Sequence, residues 1–129
     1  MSWPPSEHGL LTGDAGWIAV LTGQDWATVD VELESLGAPP ADAPGDGWEM
    51  AVERAVTVDT SPHLAISDPY GGPQHTIATP ETAYRLRVHC RGRGRPALES
   101  YLIRLWPAPA RAGEQLLTGP DTLAPDLRG

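Results

Sequence analysis

Tyr84-Arg85-Leu86-Arg87-Val88-His89-Cys90-Arg91 is the stretch that decides the fold class. Tyr84, Leu86, Val88 and Cys90 alternate with Arg85, Arg87, His89 and Arg91, the period of two that marks a strand with one packed face and one basic face. Arg91-Gly92-Arg93-Gly94-Arg95-Pro96 reads as a flexible loop, and Tyr101-Leu102-Ile103-Arg104-Leu105-Trp106 reads as the returning strand. Pro107 and Pro109 end it, because proline cannot donate to a ladder.

Outward from this hairpin, the rest of the chain breaks into short runs. Thr28 to Glu34 alternates Val29, Val31 and Leu33 against Thr28, Asp30, Glu32 and Glu34, so one face packs and the other is a row of carboxylates. Trp17 to Thr22 is a short apolar run between Gly16 and Gly23. His63 to Ser67 and Gln74 to Ala78 read as a hairpin across the turn Asp68-Pro69-Tyr70-Gly71-Gly72-Pro73, where proline presets one φ and glycine supplies a positive one. Gln115 to Thr118 reads as a last edge strand.

Residues 48 to 58 fit two patterns. Trp48, Ala51, Val52, Ala55 and Val56 make a helical face, whereas Val52, Val56 and Val58 make a strand in which Arg54 points inward or a bulge intervenes. The β-rich Val56-Thr57-Val58 and the want of an N-cap near Trp48 favour the strand.

The chain has 129 residues, the length of one domain with one core. Fourteen glycines and fourteen prolines suit short strands and turns rather than long helices. The expected fold is therefore all-β, an antiparallel β-sandwich or jelly-roll-like domain of seven to nine short strands over residues 1–129. Residues 1–13 are expected to be an irregular lead-in and 119–129 a mobile tail.

Several chemistries find no support. His8, His63, His75 and His89 lie in separate segments without paired spacing, so no metal site is expected and one could form only through tertiary contact. His89 and Cys90 are neighbours on a strand and point to opposite faces, which argues against a nucleophile and its base. Phosphate-loop and nucleophile-elbow motifs are absent from the sequence. No catalytic residues, enzyme activity or cofactor are expected. With no signal-like start and no apolar run long enough to span a bilayer, no membrane contact is expected and the cytoplasm is the expected location.

Charge is distributed unevenly. Residues 1–60 hold eleven acids against one arginine, net −10, and residues 61–129 hold six acids against eight arginines, net +2, within a total of −8. Arg85, Arg87, Arg91, Arg93, Arg95 and Arg104 fall within twenty positions. They are expected to meet acidic faces within the protein rather than nucleic acid, which an acidic chain repels at long range.

The hairpin segments Y-R-L-R-V-H-C-R-G-R (84–93) and E-S-Y-L-I-R-L-W-P-A-P (99–109) resemble those of small actinobacterial β-sandwich proteins with a YR-RVH-RGR…E-YL-LWPA signature. The plan of an early short strand, a mid-chain acidic segment and a late YxLxxWxxP-type hairpin also resembles competence protein J, of the nuclease-inhibitor family. That resemblance implies a protein that binds and silences a nuclease or toxin. The expected function is accordingly a partner-binding protein of immunity or inhibitor type, with Asp25, Asp30, Glu32, Glu34, Asp42 and Asp46 facing a basic partner. The alternative is a β-sandwich that binds a small ligand in a pocket near Trp48, Tyr70 and Arg93.

Overall fold

The computed structural model describes residues 5–13, 17–23, 29–43, 45–57, 63–66, 75–79, 83–93, 99–109 and 113–128. Among them run nine strands and one short helix: β1 (Leu11–Gly13), β2 (Ile18–Val20), β3 (Asp30–Ser35), β4 (Met50–Thr57), β5 (His63–Ile66), β6 (His75–Ala78), β7 (Ala83–Arg91), β8 (Ser100–Pro107), β9 (Gln115–Thr118) and α1 (Ala124–Leu127). The fold is all-β, as the alternation requires. No helix among the described residues is long and apolar enough to cross a membrane.

The centre is a five-stranded sheet in the order β3-β8-β7-β4-β9, flanked by the hairpins β1-β2 and β5-β6. The β7-β8 register sets Val88 opposite Ile103 and Leu86 opposite Leu105. The β4-β7 register sets Val52 opposite Val88 and Met50 opposite Cys90. These residues share one sheet face and form the core with Leu10, Leu11, Tyr84, Tyr101 and Ala124. Ile18, Val20 and Leu64 from the two hairpins pack against the same cluster, so the sandwich is one wide sheet faced by two narrow ones.

The pairings are antiparallel with one exception. β3 runs parallel to β8, with Val31 beside Tyr101 and Leu33 beside Ile103. β3 must therefore return to β4 by a crossover past β8 and β7, as parallel pairing demands. The described residues between β3 and β4 make that crossing on the side away from the core. Asp42 meets Arg104 there, and the Trp48 ring lies 5.5 Å from that of His89. Residues 50–57 form a strand, with a register shift against β9 between Ala51 and Val52. Arg54 takes the core-facing side, where its Nη1 lies 3.8 Å from Glu114 Oε1.

Described segments near both ends of the sequence are tied in. The expected lead-in contains β1, with Leu10 and Leu11 fully buried. The segment from Gly119, expected to be a mobile tail, carries Asp121 and the buried Ala124 into the interior. Gly9 joins the two ends: at φ +83° a Cβ would come within 2.3 Å of the Ala124 carbonyl oxygen. Backbone on both sides leaves no flexible atom to yield. Gly9→Ala is expected to lower stability by about 1–3 kcal/mol from backbone conformation alone, with the clash adding to it. A urea titration with unchanged slope and a lower midpoint would register this.

Candidate partner-binding face

The second face of the five-stranded sheet carries the arginines. β7 contributes Arg85, Arg87 and His89, and β8 contributes Leu102, Arg104 and Trp106. In an open sandwich such a face would be solvated, yet Arg85, Arg87, His89 and Trp106 are all buried. Buried charge requires counter-charge. Glu53, directly opposite Arg87 on β4, accepts from Arg87 Nε at 3.1 Å and, diagonally, from Arg85 Nε at 2.8 Å. The Arg87 guanidinium also lies 5.3 Å from the centre of the Trp106 ring, a cation–π arrangement.

Arg87 and Arg104 are cross-strand neighbours of like charge, which is unfavourable unless each has its own acid. Arg104 has two. Its Nε donates to Glu34 Oε2 at 3.0 Å, and its Nη1 donates to both Asp42 oxygens at 2.8 Å. The hydrogen bond from Arg104 holds the Asp42 carboxyl below its ordinary value, and the same bond raises the Arg104 guanidinium. Glu34 and Asp42 are thus each engaged by Arg104 within the molecule, with side chains 40% and 50% exposed.

Asp30, Glu32 and Asp46 are also exposed. Asp25 lies outside the described residues. β3 is the edge of the sheet, and its backbone explains what that edge offers. The Asp30 and Leu36 amides donate to Glu99 and Leu105 on the β8 side. Alternation turns the peptide groups of Val31, Leu33 and Ser35 the other way, where no described strand pairs with them. Val31 is half exposed at this edge.

Arg91 and Arg93 also have partners within the molecule, the first at the surface and the second in the interior. Arg91 donates to Ser100 and the Gly47 carbonyl and lies 4.5 Å from the Trp48 ring centre. Arg93 has a side chain with no exposure at all. Gly92, at φ 68°, breaks the strand so that Arg93 turns to the core side. There it donates to both oxygens of Asp121, at 2.7 and 3.0 Å, and to the carbonyls of Gly9 and Leu21. Five of the six clustered arginines therefore make ties to other parts of the chain, and Arg95 lies outside the described residues.

Two of the three residues named for a ligand pocket are described, and they lie on opposite faces of the sheet. Arg93 faces the core beside Met50 Sδ, whereas the Trp48 ring lies tilted against His89 on the opposite face of the sheet. Tyr70 lies outside the described residues. His89 and Cys90 likewise separate: Cys90 is buried among core residues with its Sγ 3.6 Å from Asp121 Oδ2. Burial, more than the opposing charge of Arg93, pushes the Cys90 thiol up to about 12. Native protein is expected to react with a thiol reagent only through unfolding, so the labelling rate should follow the opening equilibrium as urea is added. Fast stoichiometric labelling in buffer would contradict this placement.

Sequence reading missed Arg93 and Glu53 as organising residues. A signal for Glu53 was present, since a single acid between Val52 and Arg54 falls on the same side as the β7 arginines once 50–57 is a strand. Comparisons with protein-family models, with curated proteins and with solved structures found no match for this chain.

Proposed function

We propose that this chain is a partner-binding protein of immunity or inhibitor type, which presents the acidic β3 edge to a basic protein such as a nuclease or toxin. The observation that carries this reading is the fate of the charges. Among the described residues, Arg85, Arg87, Arg93 and Arg104 are each paired with an acid of the same chain, while Asp30 and Glu32 stand exposed on an edge strand whose outer peptide groups have no described strand beside them.

An open edge invites β-addition, and acids along it disfavour pairing with another acidic edge, including that of a second copy. A basic segment gains both ladder hydrogen bonds and charge complementarity there. Val31 adds an apolar contact to the polar rim.

The test is a quantitative capture from the source cell by the wild-type chain and by Asp30→Arg/Glu32→Arg. The expected result is one basic protein retained by the wild type, released by salt, and binding the variant with association slowed at least about tenfold. A retained set indifferent to both salt and charge reversal contradicts the proposal.

A further inference from the structure

Glu7 and His8 precede β1, and Glu114 precedes β9, so more than a hundred positions separate the first two from the third. The fold brings one ligand atom from each of the three to within 4.8 Å of the others. The bend at residues 7–8 is what allows two sequence neighbours to point the same way, which a strand would forbid. His8 Nε2 lies 3.7 Å from Glu7 Oε1.

A second observation concerns satisfaction rather than proximity. The Glu114 side chain is only 9% exposed, and its Oε2 is buried with no hydrogen-bond donor. Arg54 approaches the other oxygen, Oε1, and only at 3.8 Å. His8 Nε2 is likewise buried with no hydrogen-bond partner. A carboxylate oxygen and an imidazole nitrogen left dry in one place are costly unless something accepts their lone pairs.

We propose that Glu7, His8 and Glu114 form a binding site for a divalent transition-metal ion of the zinc type. One imidazole nitrogen and two carboxylate oxygens are a donor set suited to such an ion, with water completing a tetrahedron. Ligand atoms about 2.0–2.2 Å from zinc stand roughly 3.3 Å apart in a tetrahedron. The His8–Glu7 pair needs to close by only a few tenths of an ångström, and the exposed Glu7 carboxylate is free to swing in from the solvent side. The ion would tie the segment before β1 to the start of β9, two elements on the rim of the core. Arg54, on the same rim, keeps the net charge of the loaded cluster positive.

The experiment is a titration of the full chain with Zn²⁺ alone, followed by calorimetry and by imidazole ¹⁵N shifts. One equivalent is expected to bind, moving the His8 Nε2 resonance and leaving those of His63, His75 and His89 in place. His8→Ala and Glu114→Gln are each expected to weaken binding at least about tenfold, the scale seen when support for a metal site is lost. Circular dichroism in chelator establishes that each variant is folded. The wild-type shifts remain decisive if one is not. Response at another histidine, absence of saturable binding by the wild type, or unchanged affinity in a folded His8→Ala protein overturns the site.

Discussion

Arg93→Ala is expected to remove about 3–5 kcal/mol of folding stability, because it strands a buried carboxylate, the buried Gly9 carbonyl and the part-buried Leu21 carbonyl at once. Arg93 and Asp121 are 0% and 5% exposed, so solvent does not soften the loss. A typical domain has about 5–15 kcal/mol in total, so the variant would be largely unfolded at modest urea. The pair closes the ends of the chain onto the sheet: Arg93 reaches Gly9 before β1, Leu21 after β2 and Asp121 before α1. Asp121 in turn accepts the Ala124 amide at 2.9 Å. Replacing both partners with apolar residues of similar volume should cost less than Arg93→Ala alone, since no charge is then left behind.

Acid should reproduce part of that loss. Burial opposes ionisation of Asp121, but the hydrogen bonds and charge of Arg93 and the Ala124 amide outweigh it, so its folded value lies below the ordinary 3.8. A depressed carboxyl stabilises the fold above its unfolded value and loses that contribution as pH falls through the folded one. The wild type should therefore lose stability on acidification below about pH 4, and a folded double apolar variant should show a shallower loss over the same range. Parallel pH dependence in the two proteins would contradict the role given to this pair.

Glu53→Ala is the second large effect. One carboxylate serves two guanidiniums whose side chains are 8% and 10% exposed, and without it two like charges share a buried face. The expected loss is again about 3–5 kcal/mol. Glu53→Gln separates charge from shape, since the amide oxygen still accepts but no longer neutralises. It should recover only a minority of the loss. Full recovery by Gln would mean that packing around Glu53, rather than its charge, is what matters. Chemical denaturation of the three proteins at equal ionic strength reads this out.

These two acid–arginine ties show how far the sequence could be read. The alternation of Tyr84 to Arg91 and the return at Tyr101 to Trp106 gave the central hairpin directly, because residues alternating at period two reveal a strand without tertiary context. It did not say that the polar face would also be buried. That depends on the crossover between β3 and β4, which follows from the parallel pairing of β3 with β8, and strand order between distant segments leaves no local trace. Arg93 was hidden for another reason: Gly92 switches the side on which the next residue points, so extending the alternation misplaces it. The expected pairing of acidic and basic faces is found at Glu34 and Arg104. The other acid, Glu53, came from the segment whose helical and strand patterns competed.

The candidate site was legible in composition and only half legible in residues. A row of acids at Asp30, Glu32 and Glu34 was visible, but whether each acid faces outward depends on the strand beside it. Glu34 has Arg104 across the ladder, whereas Asp30 and Glu32 lie opposite Ser100 and Leu102. Most of the described arginines are structural, and part of the acid is left over at the surface.

The most direct test of that claim is a titration of ¹⁵N-labelled chain with a short peptide of alternating arginine and valine. The expected result is a salt-sensitive shift and slowed hydrogen exchange at the amides of Val31, Leu33 and Ser35, abolished by Asp30→Arg/Glu32→Arg. Perturbations centred on β9 or spread over the surface, or a β3 response unchanged by reversing those two charges, would contradict it.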